Sequence, residues 1–359
     1  MATEAPTARR LPLAALHRRL GAEVADLDDL NGAQVPLRYR PLGEELRTLR
    51  EGCGLVDRSW IGRLELTGAD RLRLLNALVT CDVKSLEPGT GAYGFFTGPQ
   101  GKILADLAAL ALGDRLWLEL PAGREEAIAA HVRKYILADR VEVMPLEDML
   151  PVTLVGPRAA EVLGSAAEVA GKPWAHGRAR VLGSEVELAH RPLLGAPAYT
   201  LWVSASIARE LIEELLATGR VQAVGFAALE VARAEVGIPR FGLDYGAESF
   251  PQEAGLEEAG VSYEKGCYLG QEVVARIHYR GQVHRTLRGL AFDSMPSRGA
   301  KILAGGSEVG AVSTAVESPE LGPIGLAVLK RQGTEPGAIL EIEGGSRATV
   351  RELPPLVPS

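Results

Sequence analysis

The sequence predicts an α+β protein in which ferredoxin-like α/β units lead into a small C-terminal all-β barrel. Three observations carry this. Over most of the chain, apolar residues switch between strand-like alternation and helical spacing, as strands and helices in turn require. From Leu287 onward the texture changes to short apolar runs between Gly, Pro and Ser clusters, the pattern of a small barrel. The 41 glycines and only 5% aromatic residues fit a turn-rich fold rather than an all-helical one.

Residues 1–11 are a polar tail, expected to be disordered. Residues 63–67 alternate as a strand, and 70–78 carry Leu72, Leu75 and Leu78 at helical spacing. Residues 103–112 and 116–120 are apolar strands joined around Gly113, Asp114 and Arg115 as a hairpin. The segment 124–136 puts Ile128, Val132, Tyr135 and Ile136 on one helical face. A strand at 152–155 is followed by a helix opening at Pro157, where the missing N–H has no partner to lose. Helices at 207–216 and 225–236 complete an order that suggests split β-α-β units. Strands at 287–292, 309–313, 324–328 and 339–342 then build the barrel, so the chain divides into regions 12–283 and 284–354. Gly89, Gly91 and Gly94 spell a G-x-G-x-x-G pattern. No apolar strand precedes it and no helix opens after it, so it reads as a glycine-rich loop and not a dinucleotide site.

Composition excludes several function classes. A formal charge of −7 argues against non-specific nucleic-acid binding as the main activity. The three cysteines, Cys53, Cys81 and Cys267, are widely spaced and form no C-x-x-C pair. That fits free thiols in a reducing compartment and gives no support for a structural zinc or a four-cysteine cluster, so no metal site is expected. No apolar run is long enough to span a membrane. Arg9-Arg10 and Arg18-Arg19 interrupt any signal-peptide core, and a cytoplasmic location is expected.

Chemistry concentrates in Glu264-Lys265-Gly266-Cys267-Tyr268-Leu269-Gly270-Gln271-Glu272-Val273-Val274-Ala275-Arg276. Residues 271–279 read as a short helix with Val273, Val274 and Ile277 on one face and Gly281 as its stop. A thiol ahead of a helix N-terminus and two residues from an ammonium is expected to be unusually reactive; the bland alternative is a small buried hydrophobe. The segment resembles the K-G-C-Y-x-G-Q-E-x-x-A-R signature of the YgfZ family. Those are folate-binding proteins related to the glycine-cleavage T-protein (aminomethyltransferase) and linked to iron–sulfur enzyme maintenance and tRNA modification. Leu16-His17, Gly54 to Ser59 and Leu75 to Val83 are also similar to T-protein segments. The resemblance extends over most of the chain and is weakest over 141–194.

The resemblance implies a T-protein-like fold with a central cavity for tetrahydrofolate or a one-carbon derivative. Glu235, in Arg233-Ala234-Glu235-Val236-Gly237, falls where the family's glutamate recognises the pterin, whose adjacent N–H groups suit one carboxylate. Cys267 is then expected at the cavity mouth, with Lys265 beside it. Tyr93, Phe95 and Trp60 are stacking candidates, Gln252 and Gln271 are candidate lining residues, and Arg276 either holds a glutamate-tail carboxylate or pairs with Glu272. T-proteins carry paired aspartates where this chain has Ala105-Asp106, and adjacent strand residues face opposite sides. Asp106 is the catalytic candidate, and the sequence leaves open whether the working carboxylate of the pair is the one retained.

The function implied is folate binding in support of iron–sulfur cluster enzymes, with those enzymes as protein partners and tRNA modification as an indirect beneficiary. A folate-dependent aminomethyltransferase or demethylase is the enzymatic alternative, and a non-catalytic interaction module is the third.

Overall fold

The computed structural model describes residues 11–191, 193–281 and 283–353. The expected tail at 1–11 lies outside the described residues except for Leu11, which is buried. Besides a two-stranded sheet of Glu23–Leu27 and Ala33–Arg38, the body holds two larger sheets. One has five antiparallel strands in the spatial order Thr90–Thr97, Ile103–Leu112, Arg115–Leu120, Gly62–Thr67 and Glu142–Pro145. Its central hairpin turns at Gly113-Asp114, as the spacing of its apolar runs predicts. Along Ile103–Leu112, Ala105, Leu107 and Ala109 enter a core with Leu64, Leu118 and the helix residues Ile128 and Val132. The alternate residues Asp106 and Ala108 therefore face the other way.

The second body sheet has six strands, ordered His176–Val181, Ser184–His190, Ala198–Ser204, Met149–Val155, Gly54–Asp57 and Gln222–Ala223. Helices Ala159–Leu163 and Ala208–Ala217 cover one face, with Leu154, Leu201 and Ile212 fully buried between them. Helix Phe226–Glu235 packs Ala228 and Val231 against Val56 and Val155 on the opposite face. This second sheet is only partly legible in the sequence. His176–Val181 is an edge strand whose middle is exposed, so its apolar signal is weak.

The pattern at Gly89–Gly94 lies in strand Thr90–Thr97 rather than a loop. A Cβ at Gly91 would stand 2.7 Å from the Ala109 carbonyl, and one at Gly94 2.6 Å from Cys81 Sγ. The glycines there admit close backbone approach.

Residues Arg285–Arg351 form a separate seven-stranded antiparallel sheet with its own core of Leu290, Ile302, Leu329 and Val350. The sheet curls until Ser307–Ala311 faces Gly322–Lys330, where a Cβ at Gly310 would meet the Val328 carbonyl at 2.8 Å. Among the described residues no helix is long and apolar enough to cross a membrane.

Candidate active site in the central cavity

A cavity of about 990 Å³ opens between the two body sheets and helix Phe226–Glu235. Its volume falls in the range of organic-ligand sites. Strand pairing sets its inner wall. Tyr93 lies opposite Ala108, and Glu119 lies opposite the same residue from the other side. Asp106, two residues from Ala108, shares their face, so the strand pleat presents Tyr93, Asp106 and Glu119 together.

The Tyr93 hydroxyl donates to Asp106 Oδ2 at 2.9 Å and stands 3.5 Å from the Tyr245 hydroxyl. Burial raises the Asp106 pKa; the tyrosine hydrogen bonds and the positive charge of Arg191 oppose that without cancelling it. Ala105 lies on the opposite face, wholly buried in the core. The carboxylate that this chain retains is the one facing the cavity.

Glu119 holds two guanidiniums. Arg58 Nη2 donates to its Oε2 at 2.9 Å, and Arg191 Nη1 donates to the same oxygen. Burial alone would raise the Glu119 pKa, but the two arginines together bring it below the usual carboxylate value. Helix Phe226–Glu235 contributes Glu230 and Arg233 to the wall, and the following loop contributes Arg240. Arg233 grips Glu230 through Nε and Nη2 at 2.9 and 2.8 Å. Trp60 lines the cavity edge-on to Phe226, their centroids 5.4 Å apart.

Buried guanidinium nitrogens on cavity-lining residues stand without a hydrogen-bond partner among the described residues: Arg58 Nη1, Arg124 Nε and Arg240 Nε. Buried donors left unpaired are costly, and a polar ligand satisfies them. The cavity thus combines aromatic walls, unmet donors and a carboxyl whose pKa burial raises, a lining suited to a polar, planar ligand.

The structure brings together only part of the set read from sequence. Asp106, Tyr93 and Trp60 line the cavity. Glu235 does not. It sits at the end of its helix with both carboxylate oxygens 2.8 Å from Arg50 Nη2 and one 2.7 Å from Ser318 Oγ. Glu230, five residues earlier, is the helix's cavity carboxylate. Phe95 is wholly buried beneath Tyr93, packed edge-on with centroids 5.5 Å apart. Gln252 is buried elsewhere, donating to Tyr263 and to the Val274 carbonyl. Gln271 is the first residue of its helix, its Oε1 facing the Tyr268 N–H at 3.4 Å. Arg276 is exposed and pairs with Glu272 at 2.6 Å, the local alternative to a ligand contact.

Cys267 is exposed and lies apart from the central cavity. It lines a separate depression of about 330 Å³ with Arg73, Tyr135, Asp139 and Tyr268. The expected position at the cavity mouth is therefore corrected, because its loop docks on the end of helix Arg71–Asn76 instead. Lys265 does that docking: its Nζ donates to the carbonyls of Asn76, Val79 and Cys81 at 2.6–2.8 Å. The helix Gln271–Arg280 forms as its spacing predicts and stops at Gly281, whose φ is +65°.

The sequence does not single out Arg58, Glu119, Arg191 or Glu230. A signal exists at Glu119: a lone carboxylate inside Arg115–Leu120, otherwise buried along most of its length, marks a wall facing something polar. Arg191 lies in the stretch where the resemblance is weakest.

Comparison with known proteins agrees with this architecture. Residues 16–265 match the family model described as the GCVT N-terminal domain, and 285–356 match the glycine cleavage T-protein C-terminal barrel domain. The chain is 26% identical over 347 residues to an aminomethyltransferase of Bacillus subtilis, spanning 93% of this chain and 94% of that protein. It is 29% identical over 357 residues to an aminomethyltransferase of Rubrobacter xylanophilus, spanning 97% and 92%. The crystal structure of glycine cleavage system aminomethyltransferase T from Bartonella henselae aligns with a TM-score of 0.85 at 25% identity, over 97% of this chain and 98% of that one. With a family model matched over most of its length and the T-protein fold in both its regions, the chain belongs to the glycine-cleavage T-protein family.

Proposed function

We propose that this protein binds a reduced folate in the central cavity and transfers a one-carbon unit there, with Asp106 as the proton-handling group. The observation that carries the reading is the Tyr93–Asp106 pair on the cavity wall: a carboxyl with a raised pKa, held by a hydroxyl at 2.9 Å. Bound tetrahydrofolate supplies the nitrogen that accepts the one-carbon unit. Asp106 takes or returns the proton exchanged as that unit moves, and a raised pKa suits a group that must do both. Tyr93 orients the carboxyl by donating to Oδ2. Trp60 and Phe226 form an apolar wall that excludes water from one side.

Titration calorimetry with tetrahydrofolate, beside a turnover assay with an aminomethyl donor, tests this. Saturable binding, with turnover lost in Asp106→Asn while binding persists, supports the reading. Absence of folate binding overturns it.

A second reading is favoured by one observation: the exposed Cys267 thiol stands in its own depression, outside the cavity. In that reading the protein is YgfZ-like, folate binding is retained without turnover, and the thiol supports iron–sulfur enzymes and, through them, tRNA modification. It requires that Cys267→Ser lower iron–sulfur enzyme activity in cells while folate affinity is unchanged. Full activity of those enzymes with the serine variant removes it.

A further inference from the structure

A second phenol stands behind the Tyr93–Asp106 pair. The Tyr245 hydroxyl lies 3.5 Å from that of Tyr93, whose own proton goes to Asp106 Oδ2 at 2.9 Å. Tyr93 and Asp106 line the cavity; Tyr245 is 5% exposed and packs behind them with Phe95, Ile103 and Leu256. A phenol carries one proton and can also accept one. With the Tyr93 proton spent on the carboxyl, both phenol protons are engaged only if Tyr245 is a donor. It donates toward Asp106 through the Tyr93 oxygen, and it favours the charged carboxylate directly as well. The 3.5 Å separation is long for a hydroxyl pair, as contacts among catalytic groups often are before a ligand fills the site. Among the described residues the Tyr245 hydroxyl meets only Tyr93 and Asp106, so the chain of hydroxyls ends on a buried ring and leads no proton to solvent. Its own loop holds Tyr245 in place. The Gly242 N–H donates to the Tyr245 carbonyl at 2.8 Å, the Phe241 ring meets it edge-on at 5.7 Å, and the neighbouring Asp244 accepts from the barrel hydroxyls of Ser313 and Thr314.

We infer that Tyr245 is a positioning residue for Asp106: its hydroxyl fixes the Tyr93 hydroxyl in the orientation that donates to the carboxyl. A Tyr93 hydroxyl free to turn would leave Asp106 without that donor whenever it rotated away. Burial pushes Asp106 toward its neutral form; Tyr93, the positive charge of Arg191 and Tyr245 work the other way. Tyr245 thus helps to keep the ionised form accessible, and the closed inner end of the chain leaves the cavity side as the route by which Asp106 gains or gives a proton. The inference rests on the one-carbon reading of the cavity, which gives Asp106 a proton to exchange, and deepens it by naming the residue that orients this group.

The test follows Asp106 itself, by nuclear magnetic resonance of the full chain labelled with carbon-13 at its aspartate carboxyls. The Asp106 signal is assigned by its disappearance in Asp106→Asn. Tyr245→Phe keeps the ring and its packing and removes only the donor. It is expected to move the Asp106 titration to higher pH, because a donor to the charged form is lost. Tyr93→Phe, a second cut in the same chain, is expected to move it the same way and further, since it removes the nearer donor. An Asp106 titration that either variant leaves in place, or that Tyr245→Phe moves to lower pH, overturns the inference. In a turnover assay, with Asp106 required to be ionised to accept a proton, Tyr245→Phe is expected to lose about three- to tenfold in kcat on the acidic side, the scale of one hydrogen bond. That loss recovers toward alkaline pH, with KM for tetrahydrofolate within about twofold of wild type. A loss that is equal at every pH and comes with a raised KM marks a packing residue and overturns the assignment. A wild type that takes up no tetrahydrofolate is a different result and sinks the one-carbon reading; the carboxyl titration needs no ligand and still decides the role of Tyr245.

Discussion

At Asp106 one environment sets two measurable behaviours. Burial lifts its folded pKa above the ordinary value of 3.8, so the fold favours the protonated carboxyl. Its contribution to stability is present in full below pH 3.8 and is lost as pH rises through the folded value. Asp106→Asn keeps an acceptor for the Tyr93 hydroxyl and removes the titration. The variant is therefore expected to melt at a higher temperature than wild type at neutral pH, the gap closing as pH falls toward 3.8 in scanning calorimetry. Its one-carbon turnover is expected to fall about 10²–10⁴-fold, the usual effect of removing a positioned proton-transfer group. Glu235 gives the contrasting case. Its carboxylate ties Arg50 to Ser318 and does not reach the cavity. Glu235→Ala removes a partly buried, charge-assisted pair and is expected to lower stability by about 1–3 kcal/mol, while tetrahydrofolate affinity in a binding titration barely changes. A large loss of affinity would restore the pterin role that its sequence position suggests.

The loop from Lys265 to Gly270 shows what a motif can and cannot disclose at the scale of an element. Its helix and its C-terminal glycine stop are legible, because helical spacing and a left-handed glycine are local properties. What Lys265 does is not, because the three carbonyls it serves belong to a segment almost 190 residues away. Burial pushes its pKa down to about 8, which leaves it protonated and donating at neutral pH. Lys265→Met leaves those carbonyls unmet and is expected to cost about 1–3 kcal/mol in denaturant unfolding. Since the ammonium is engaged with carbonyls, the alkylation rate of Cys267 is expected to change less than about twofold; a steep fall would mean that the lysine activates the thiol after all. The same distinction runs through the fold. The hairpin at Gly113-Asp114 and the barrel strands carry their own periodicity, whereas edge strand His176–Val181 exists through pairing with Ser184–His190. Asp106, Tyr93 and Trp60 are reachable through motif similarity. Arg58, Glu119 and Arg191 need tertiary structure, since only sheet register and loop position bring them to one wall.

Across the whole molecule, the barrel and the body are joined by a buried polar knot that also touches the cavity. Asp244 is buried and accepts from Arg233 Nη1 at 2.8 Å, from the Arg240 N–H at 2.9 Å, and from the barrel hydroxyls of Ser313 and Thr314 at 2.6 and 2.7 Å. Arg233 completes the link by donating to Thr314 Oγ1 at 2.8 Å. Both arginines line the cavity wall, so the barrel is positioned to stiffen the site without supplying its reacting groups. Asp244→Ala removes the acceptor at the centre of the knot: Thr314 loses the oxygen its hydroxyl donates to and Arg233 loses one of its two carboxylates, while Ser313 keeps the Leu326 carbonyl and Arg233 keeps Glu230. Removing a buried acceptor of charge-assisted hydrogen bonds costs about 1–3 kcal/mol. That is a large share of a domain's stability, and here it falls on the junction and not on either hydrophobic core. Calorimetry is therefore expected to show the barrel melting ahead of the body, and tetrahydrofolate affinity to weaken as Arg233 and Arg240 lose their anchor. Should the variant melt in one transition at the wild-type temperature with affinity intact, the knot is incidental, and the barrel is held by its apolar contacts alone.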